Sequence, residues 1–438
     1  MNCLLVGAII TLSLSAGPVL NEELIFSPEK VHNHSSTIVE SPEGALLAAW
    51  FHGSGEKGDD TLVVLGARKA PGASKWSRPF LMADKPGLPD QNPVLFIDPS
   101  GTLFLWWVSS LANTRETYIL NYRTATDYEG EGAPVWTWND SIFQEPKQLR
   151  QSMEKMAAGV DAKFGAAFDS EDKYRSRLEH GLRMARFDDT YLEGRKEPTI
   201  GRLSTMLSWM PRCAPIMLSD TRMAIGLYSD VYLTSLTCYT DDGGATWHYG
   251  APMADYGLIQ PALLQRKDGT VVAYGRDKSP NKRIRVAESG DGGMNWTKFY
   301  DLAIPNPDSS VALLALKNGH WLLVCNDLTG IDGRHGRSRL AVYLSEDEGH
   351  TWPWKRYLED STAPDGNHPH ASYPSAIQTR DGQIHVTYTY TPSPDETIKH
   401  VAFDEGWVRE GESLDLARGH EESRTDGLQQ GNCIKNVR

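Results

Sequence analysis

Three copies of one short pattern constrain this 438-residue chain more than any other feature. They read Thr240-x-Asp242-x-Gly244-x-Thr246-Trp247, Ser289-x-Asp291-x-Gly293-x-Asn295-Trp296 and Ser345-x-Asp347-x-Gly349-x-Thr351-Trp352. The physical sense is a tight turn with a packed anchor. A short carboxylate accepts backbone N–H bonds across the turn, glycine takes a left-handed residue at low cost, and tryptophan buries a large ring. Each copy closes a strand-like run, over 236–239, 284–288 and 340–344. The pattern predicts a repeated structural turn and carries no chemistry of its own.

A second repeat lies beneath the first. Two β-rich runs flank a short turn, usually glycine-bearing, at 34–40 and 45–51, 92–97 and 102–108, 214–218 and 223–228, 261–265 and 270–274, 311–316 and 320–325, and 374–378 and 383–390. Hairpins recurring every 40 to 50 residues or so are the sequence form of propeller blades. Six of them predict an all-β chain folded as a six-bladed β-propeller over 21–408. From Lys147 to Ser204 the composition shifts to Lys, Arg, Glu, Met and Ala, with apolar residues at helical spacing (Met153, Met156, Ala157; Leu178, Leu182, Met184). That stretch reads as a helical insertion between blades two and three. Residues 409–438 read as a polar, poorly ordered tail.

A formal charge of −13 argues against nucleic acid or an anionic membrane as partner. An acidic chain that binds an acidic ligand needs a local basic cluster. Thirteen Trp and seventeen Tyr supply core and sugar-stacking surface. The apolar run from Leu4 to Leu20 reads as a signal peptide (residues 1–20), which places the protein outside the cytoplasm, secreted or periplasmic. No other segment reaches the length a membrane span needs. Cys213, Cys238, Cys325 and Cys433 show no metal-ligand spacing and read as structural thiols or one bridge. No cofactor or metal is expected.

In a propeller the first strand of each blade opens at one mouth of the axis, where side chains converge. Those openings carry His34, Gln91 with Asn92, Arg212, Gln260, Asp308 with Ser309, and Tyr373. A wet axis lined by polar groups is the plain alternative for any single one of them.

The Ser/Thr-x-Asp-x-Gly-x-Thr-Trp motif resembles the Asp box of the sialidase (BNR-repeat) propellers, and the resemblance covers about Val31 to Val408 apart from the insertion. It implies site residues. Arg276, in Val-Val-Ala-Tyr-Gly-Arg, matches one arginine of the family's carboxylate-binding triad. Arg337 or Arg339, in Arg-Ser-Arg-Leu-Ala-Val-Tyr, matches another. Tyr373, in Ser-Tyr-Pro-Ser, matches the nucleophilic tyrosine. Asp59 or Asp60, in the loop from Gly53 to Thr61, falls where the family keeps its acid/base aspartate. The chemistry is coherent: a fork of arginine donors grips a carboxylate, and an uncharged tyrosine is the nucleophile suited to an anionic anomeric centre. An aspartate whose pKa burial raises can protonate the leaving oxygen.

Two positions depart from the family. His34 stands where the family opens blade one with arginine, and Gln260 stands where it keeps the glutamate that activates tyrosine. Glutamine is no base at neutral pH. Arg212 can supply the third guanidinium. The sequence therefore predicts a sialidase-like exo-glycosidase acting on a carboxylate-bearing sugar of an acidic glycan, with Gln260 and Asn92 among the binding residues. Two rivals stand beside it. One is a uronate-directed lyase or hydrolase using His34 as base. The other is a propeller that binds glycans without chemistry. His32 and His52 stand near His34, and His368 and His370 precede Tyr373, as pocket-shaping residues.

Overall fold

In the apolar strands, neighbouring residues enter different cores. Ile38, Leu46 and Ala48 join one hydrophobic cluster, whereas Val39, Leu47 and Ala49 join the next. Leu322 and Val324 divide from Leu323 and Cys325 in the same way. Side chains alternate across a strand, so a sheet covered on both faces reads as an unbroken apolar run. Here every sheet is sandwiched between two others. The computed structural model describes residues 19–55, 61–169, 172–186, 199–328, 335–361, 369–392 and 394–414. The expectations about the leader, Asp59, Asp60, His368 and Cys433 lie outside the described residues.

Six antiparallel sheets follow one another. Strand β1 (Asn21–Leu24) is set aside by the chain and used last. The first sheet runs β2 (His32–Glu40), β3 (Leu46–Gly53), β4 (Val63–Lys69), β5 (Phe80–Ala83). The second runs β6 (Asp90–Ile97), β7 (Leu103–Ser110), β8 (Tyr118–Ala125), β9 (Trp138–Ile142). The third holds β10 (Met210–Pro211), β11 (Ile216–Met217), β12 (Met223–Ser229), β13 (Thr234–Thr240) and β14 (His248–Tyr249). The fourth runs β15 (Leu258–Gln265), β16 (Val271–Asp277), β17 (Arg283–Ser289), β18 (Lys298–Pro305). The fifth runs β19 (Ala312–Ala315), β20 (Trp321–Asn326), β21 (Arg339–Ser345), β22 (Trp354–Asp360), and the sixth β23 (His370–Gln378), β24 (Ile384–Thr391), β25 (Thr397–Phe403).

First strands of neighbouring sheets pack on one another, except that β12 of the third sheet meets β15 of the fourth, and β2 meets β23, so the ring closes as a six-bladed propeller. The closure is made by β1, which pairs antiparallel with β25, Asn21 opposite Ala402. In the third sheet the inner strand is broken into β10 and β11, both paired with β12. Pro211 and Pro215, which have no N–H to give the ladder, account for the break.

Helices α1 (Leu149–Phe164), α2 (Ala166–Asp169), α3 (Asp172–Ala185) and α4 (Thr199–Met206) stand between β9 and β10. Helix α1 buries Leu149, Met153, Met156, Val160 and Phe164, which join the cluster between the second and third sheets. Lys163 at its end donates to Asp255 at 2.6 Å, and Asp255 also receives the buried Arg285 of β17. Near the end of the chain, α5 (Glu405–Arg409) buries Trp407 and Val408, and β26 (Glu412–Ser413) extends the fifth sheet from β22.

The three Asp-box turns follow β13, β17 and β21. In each, the Asp accepts from the hydroxyl two residues earlier (2.7, 2.7 and 2.8 Å) and from the backbone N–H four residues later (2.8 Å in all three). The glycine N–H returns to the same hydroxyl at 2.9 Å. Trp247, Trp296 and Trp352 are buried beside them. Cys213, Cys238 and Cys325 are free, buried thiols.

Candidate functional site

The same backbone irregularity recurs at the mouth of the axis. Ser35, Asn92, Gln260, Asp308 and Tyr373 all have φ between 53° and 62°, in or just before the first strand of five of the six sheets. Four of these coincide with a shift in strand register, at His34/Thr37, Gln91/Val94, Ile259/Ala262 and Ser372/Ser375. A left-handed residue that is not glycine costs about 1–2 kcal/mol. A bulge re-aims a side chain, and such strain gathers where function over-determines the geometry. Pro follows at 93, 261 and 374, as suits a residue withdrawn from the ladder.

Tyr373 is the hub. Its hydroxyl oxygen accepts from Arg276 Nη1 at 2.6 Å and from Gln260 Nε2 at 3.3 Å. The guanidinium carbons of Arg212, Arg337 and Arg276 stand 5.0, 5.3 and 5.9 Å from its ring centre. The His34 ring lies 4.1 Å from it, centre to centre, tilted by 49°.

Arg276 comes from the penultimate position of β16 and also donates to Asp308 Oδ1 at 2.6 Å and to Gln260 Oε1 at 3.4 Å. Arg212, which is 2% exposed, reaches across the axis to the carbonyls of Ser36 (3.4 Å) and Pro374 (3.1 Å). Arg337, on a 3₁₀ turn over His335–Arg337, donates to the carbonyl of Asp308 at 3.2 Å. Among the described residues no carboxylate pairs with Arg212 or Arg337, and the Nε of each is buried without a hydrogen-bond partner. Arg339 is elsewhere: it lies in β21 and pairs with Asp360 of β22 at 2.7 Å.

Charge at this mouth is therefore positive in an acidic protein. Asp308 answers both Arg276 and Lys278, the latter at 3.2 Å. Burial pushes the Asp308 carboxyl upward, but Arg276 and Lys278 overcome it and hold the group well below the usual carboxylate range. Burial and Arg276 push Lys278 down to about 8, against the pull of Asp308. His34 is held well below the usual imidazole range by burial first, then by His32, Arg337, Arg212 and Arg276. It stands neutral at pH 7 and is a weak base there.

Sequence reasoning did not single out Tyr228 or Lys278 for the site. Tyr228, penultimate in β12 as Arg276 is in β16, accepts from Asn92 Nδ2 at 3.0 Å and Gln260 Nε2 at 3.1 Å. Lys278 follows Arg276 by two, the spacing that returns to one face of a strand. Both signals were present in the sequence but needed the register to be read. His32 is tied to Glu396 (2.8 Å) and His52 to Asn33 (2.9 Å). His370 opens β23 opposite Thr391. A cleft of about 480 Å³ lies away from the axis beside Glu23, Lys69, His385 and His400. Glu23 there is committed to Lys69, Trp76 and His400. The convergence of strained residues and of arginines, two of them without a carboxylate partner among the described residues, favours the axis.

Residues 44–159 and 192–386, more than half of the chain, match the family model described as BNR repeat-like domain. The chain belongs to the BNR repeat-like family. A sialidase of Micromonospora viridifaciens is 24% identical to this BNR protein over 183 residues, which is 40% of this chain and 26% of that one. The chain thus spans about a quarter of that relative's length. Among solved structures, the NanB sialidase of Streptococcus pneumoniae superposes with a TM-score of 0.61 at 11% identity, over 88% of this chain and 71% of that one. A protein of Dyadobacter fermentans, described as of unknown function, superposes at 0.60 with 15% identity, over 88% and 99%. The fold is that of the sialidase-like BNR propellers, and the chemistry has to be argued from the site.

Proposed function

We propose that this protein is a sialidase-like exo-glycosidase that acts on a carboxylate-bearing sugar at the axis mouth. The observation that carries the reading is the meeting of Arg212, Arg276 and Arg337 around Tyr373, two of them without a carboxylate partner among the described residues. Guanidinium groups without a carboxylate partner among the described residues, as Arg212 and Arg337 are, favour an anionic ligand with planar oxygens. In this reading the arginines hold the sugar carboxylate. The Tyr373 oxygen loses its proton and attacks the anomeric carbon, and Asp59 or Asp60 protonates the departing oxygen. Water then cleaves the tyrosyl–sugar bond.

Gln260 cannot receive the tyrosine proton: Arg276 only donates, so it turns Oε1 of the amide toward itself and leaves Nε2 facing the phenols. Neutral His34, whose ring lies 4.1 Å from that of Tyr373, is the candidate acceptor: burial and the arginines make it a weak base, and a bound carboxylate that offsets the arginine charge raises its hold on the proton. The same pair favours one second reading, in which His34 or Tyr373 removes the C5 proton of a uronate, the C4–O bond breaks with the departing oxygen taking up a proton, and a 4,5-unsaturated sugar remains by β-elimination. The helical segment after β9 is read as an insertion that leaves the propeller intact, and the apolar run at Leu4–Leu20 suggests an extracellular or periplasmic substrate.

The test is hydrolysis of a fluorogenic α-sialoside by wild-type protein and by Arg276→Ala. Turnover that falls by a hundredfold or more in the variant supports the reading, in line with the roughly 2.7–4 kcal/mol that one lost oxyanion donor costs elsewhere. An inert wild type overturns the sialidase activity. An ultraviolet-absorbing product from acidic polysaccharide would then support elimination, and tight binding without product would mark a glycan-binding propeller.

A further inference from the structure

Gln260 bridges two phenols, and the bridge leaves each without an acceptor for its own proton among the described residues. Its amide oxygen faces Arg276, so its two N–H groups go to Tyr228 Oη at 3.1 Å and Tyr373 Oη at 3.3 Å. Each phenolic oxygen has a second donor as well, Asn92 Nδ2 for Tyr228 and Arg276 Nη1 for Tyr373. Two lone pairs are thereby filled on each oxygen. Neither O–H has an acceptor among the described residues.

A buried hydroxyl proton without an acceptor is expensive to keep, and a site that keeps one is built for a ligand atom that supplies the acceptor. The two left-handed residues that aim the amides, Asn92 and Gln260, belong to different sheets. The clamp is thus held by strained backbone on two separate blades.

We propose that Tyr228 is a substrate-contacting residue of this site, a second phenol whose hydroxyl donates to an acceptor oxygen of the bound sugar acid. The proposal rests on the reading of the axis mouth as a sugar-acid site and adds a specificity residue to it. Burial, then Asp230 and Tyr373, keep the Tyr228 hydroxyl protonated far above neutral pH, so its part is that of a constant donor and never of a base. The arginines, the two phenols and Lys278 give the mouth a set of donors, beside the carboxylate of Asp308 and the neutral ring of His34. That matches a ligand edge made of acceptors, a carboxylate with a neighbouring ring or ether oxygen.

Isothermal titration of wild type, Tyr228→Phe and Arg276→Ala with a free sialic acid and a free uronic acid tests this, with thermal melts run on each protein. The expected result is binding weakened by about threefold to tenfold in Tyr228→Phe, the value of one hydrogen bond, at every pH from 6 to 9. Affinity within 1.5-fold of wild type in Tyr228→Phe, while Arg276→Ala loses binding, overturns the role of Tyr228 and leaves the sugar-acid reading standing. Wild type that binds neither acid overturns both. Tyr228→Phe strands the N–H groups of Asn92 and Gln260. Should it melt early, the Asn92→Ala, Tyr228→Phe double variant compared with Asn92→Ala alone gives the same reading.

Discussion

Gln260→Glu would restore a carboxylate beside Tyr373 and isolates what the glutamine changed. The side chain is 1% exposed, and burying a carboxylate there costs several kcal/mol. Against this stands Arg276 Nη1, 3.4 Å from the amide oxygen; at an effective dielectric of about 20 that attraction is about 5 kcal/mol. The phenols at 3.1 and 3.3 Å, whose protons have no other acceptor among the described residues, can turn to donate to the new oxygen. The opposing effects leave a net change of at most about 2 kcal/mol. With an unfolding entropy of about 2.1 cal/mol/K per residue over 438 residues, that is a Tm shift of about 2 °C. The chemical consequence is larger. A positioned general base contributes about 10²–10⁴-fold, so kcat for a fluorogenic α-sialoside should rise by about a hundredfold or more. The rate should also acquire an acidic limb, because the glutamate works only when ionised. A folded variant whose kcat rises less than threefold refutes the argument. Proton transfer from Tyr373 would then not be what the glutamine limits.

Other perturbations separate site from scaffold. His34 has its folded-state pKa depressed, so its contribution is complete above the unfolded value of about 6.5 and declines as pH falls below it; from pH 7.5 to 5, wild type should lose up to about 2 kcal/mol more than His34→Gln. Parallel melting curves of the two proteins across that range would contradict this. Gly349 has φ +82° and a Cβ there would meet Tyr274 Oη at 2.6 Å and Trp321 Cε3 at 2.9 Å, whereas a Cβ on Gly290 meets nothing within 4 Å. Gly349→Ala should therefore lower Tm by 2 °C or more, and Gly290→Ala should be neutral or stabilising by about 0.4–1 kcal/mol; equal effects would dismiss the steric account. Asp347→Ala removes three turn hydrogen bonds and should cost about 2–3 kcal/mol without altering turnover, read by melting and by sialoside hydrolysis together.

The Asp boxes were legible because their hydrogen bonds close within four residues, so spacing alone specifies them. The blades were legible for a related reason: each hairpin is local, and burial on both faces writes itself as apolar runs such as Leu103–Val108. The ring closure was not. Asn21–Leu24 shows no propensity that names β25, some 375 residues away, as its partner. The site divides along the same line. Polar residues at strand openings could be picked out as an anomaly, and His34, Asn92, Arg212, Gln260 and Tyr373 do stand at the axis mouth. Which arginine joins them could not be read from Arg337-Ser-Arg339, two residues apart and alike in chemistry. The backbone separates them, Arg337 on a 3₁₀ turn over the axis and Arg339 inside a strand, beside Asp360. Tyr228 became visible only when β12 and β15 were side by side, since its partners Asn92 and Gln260 are 136 and 32 residues away. Local bonds and alternation determined the turns, the strands and the blade count. The tertiary structure alone decided which side chains share the axis, because that depends on ring closure and on five left-handed residues whose strain no local interaction repays.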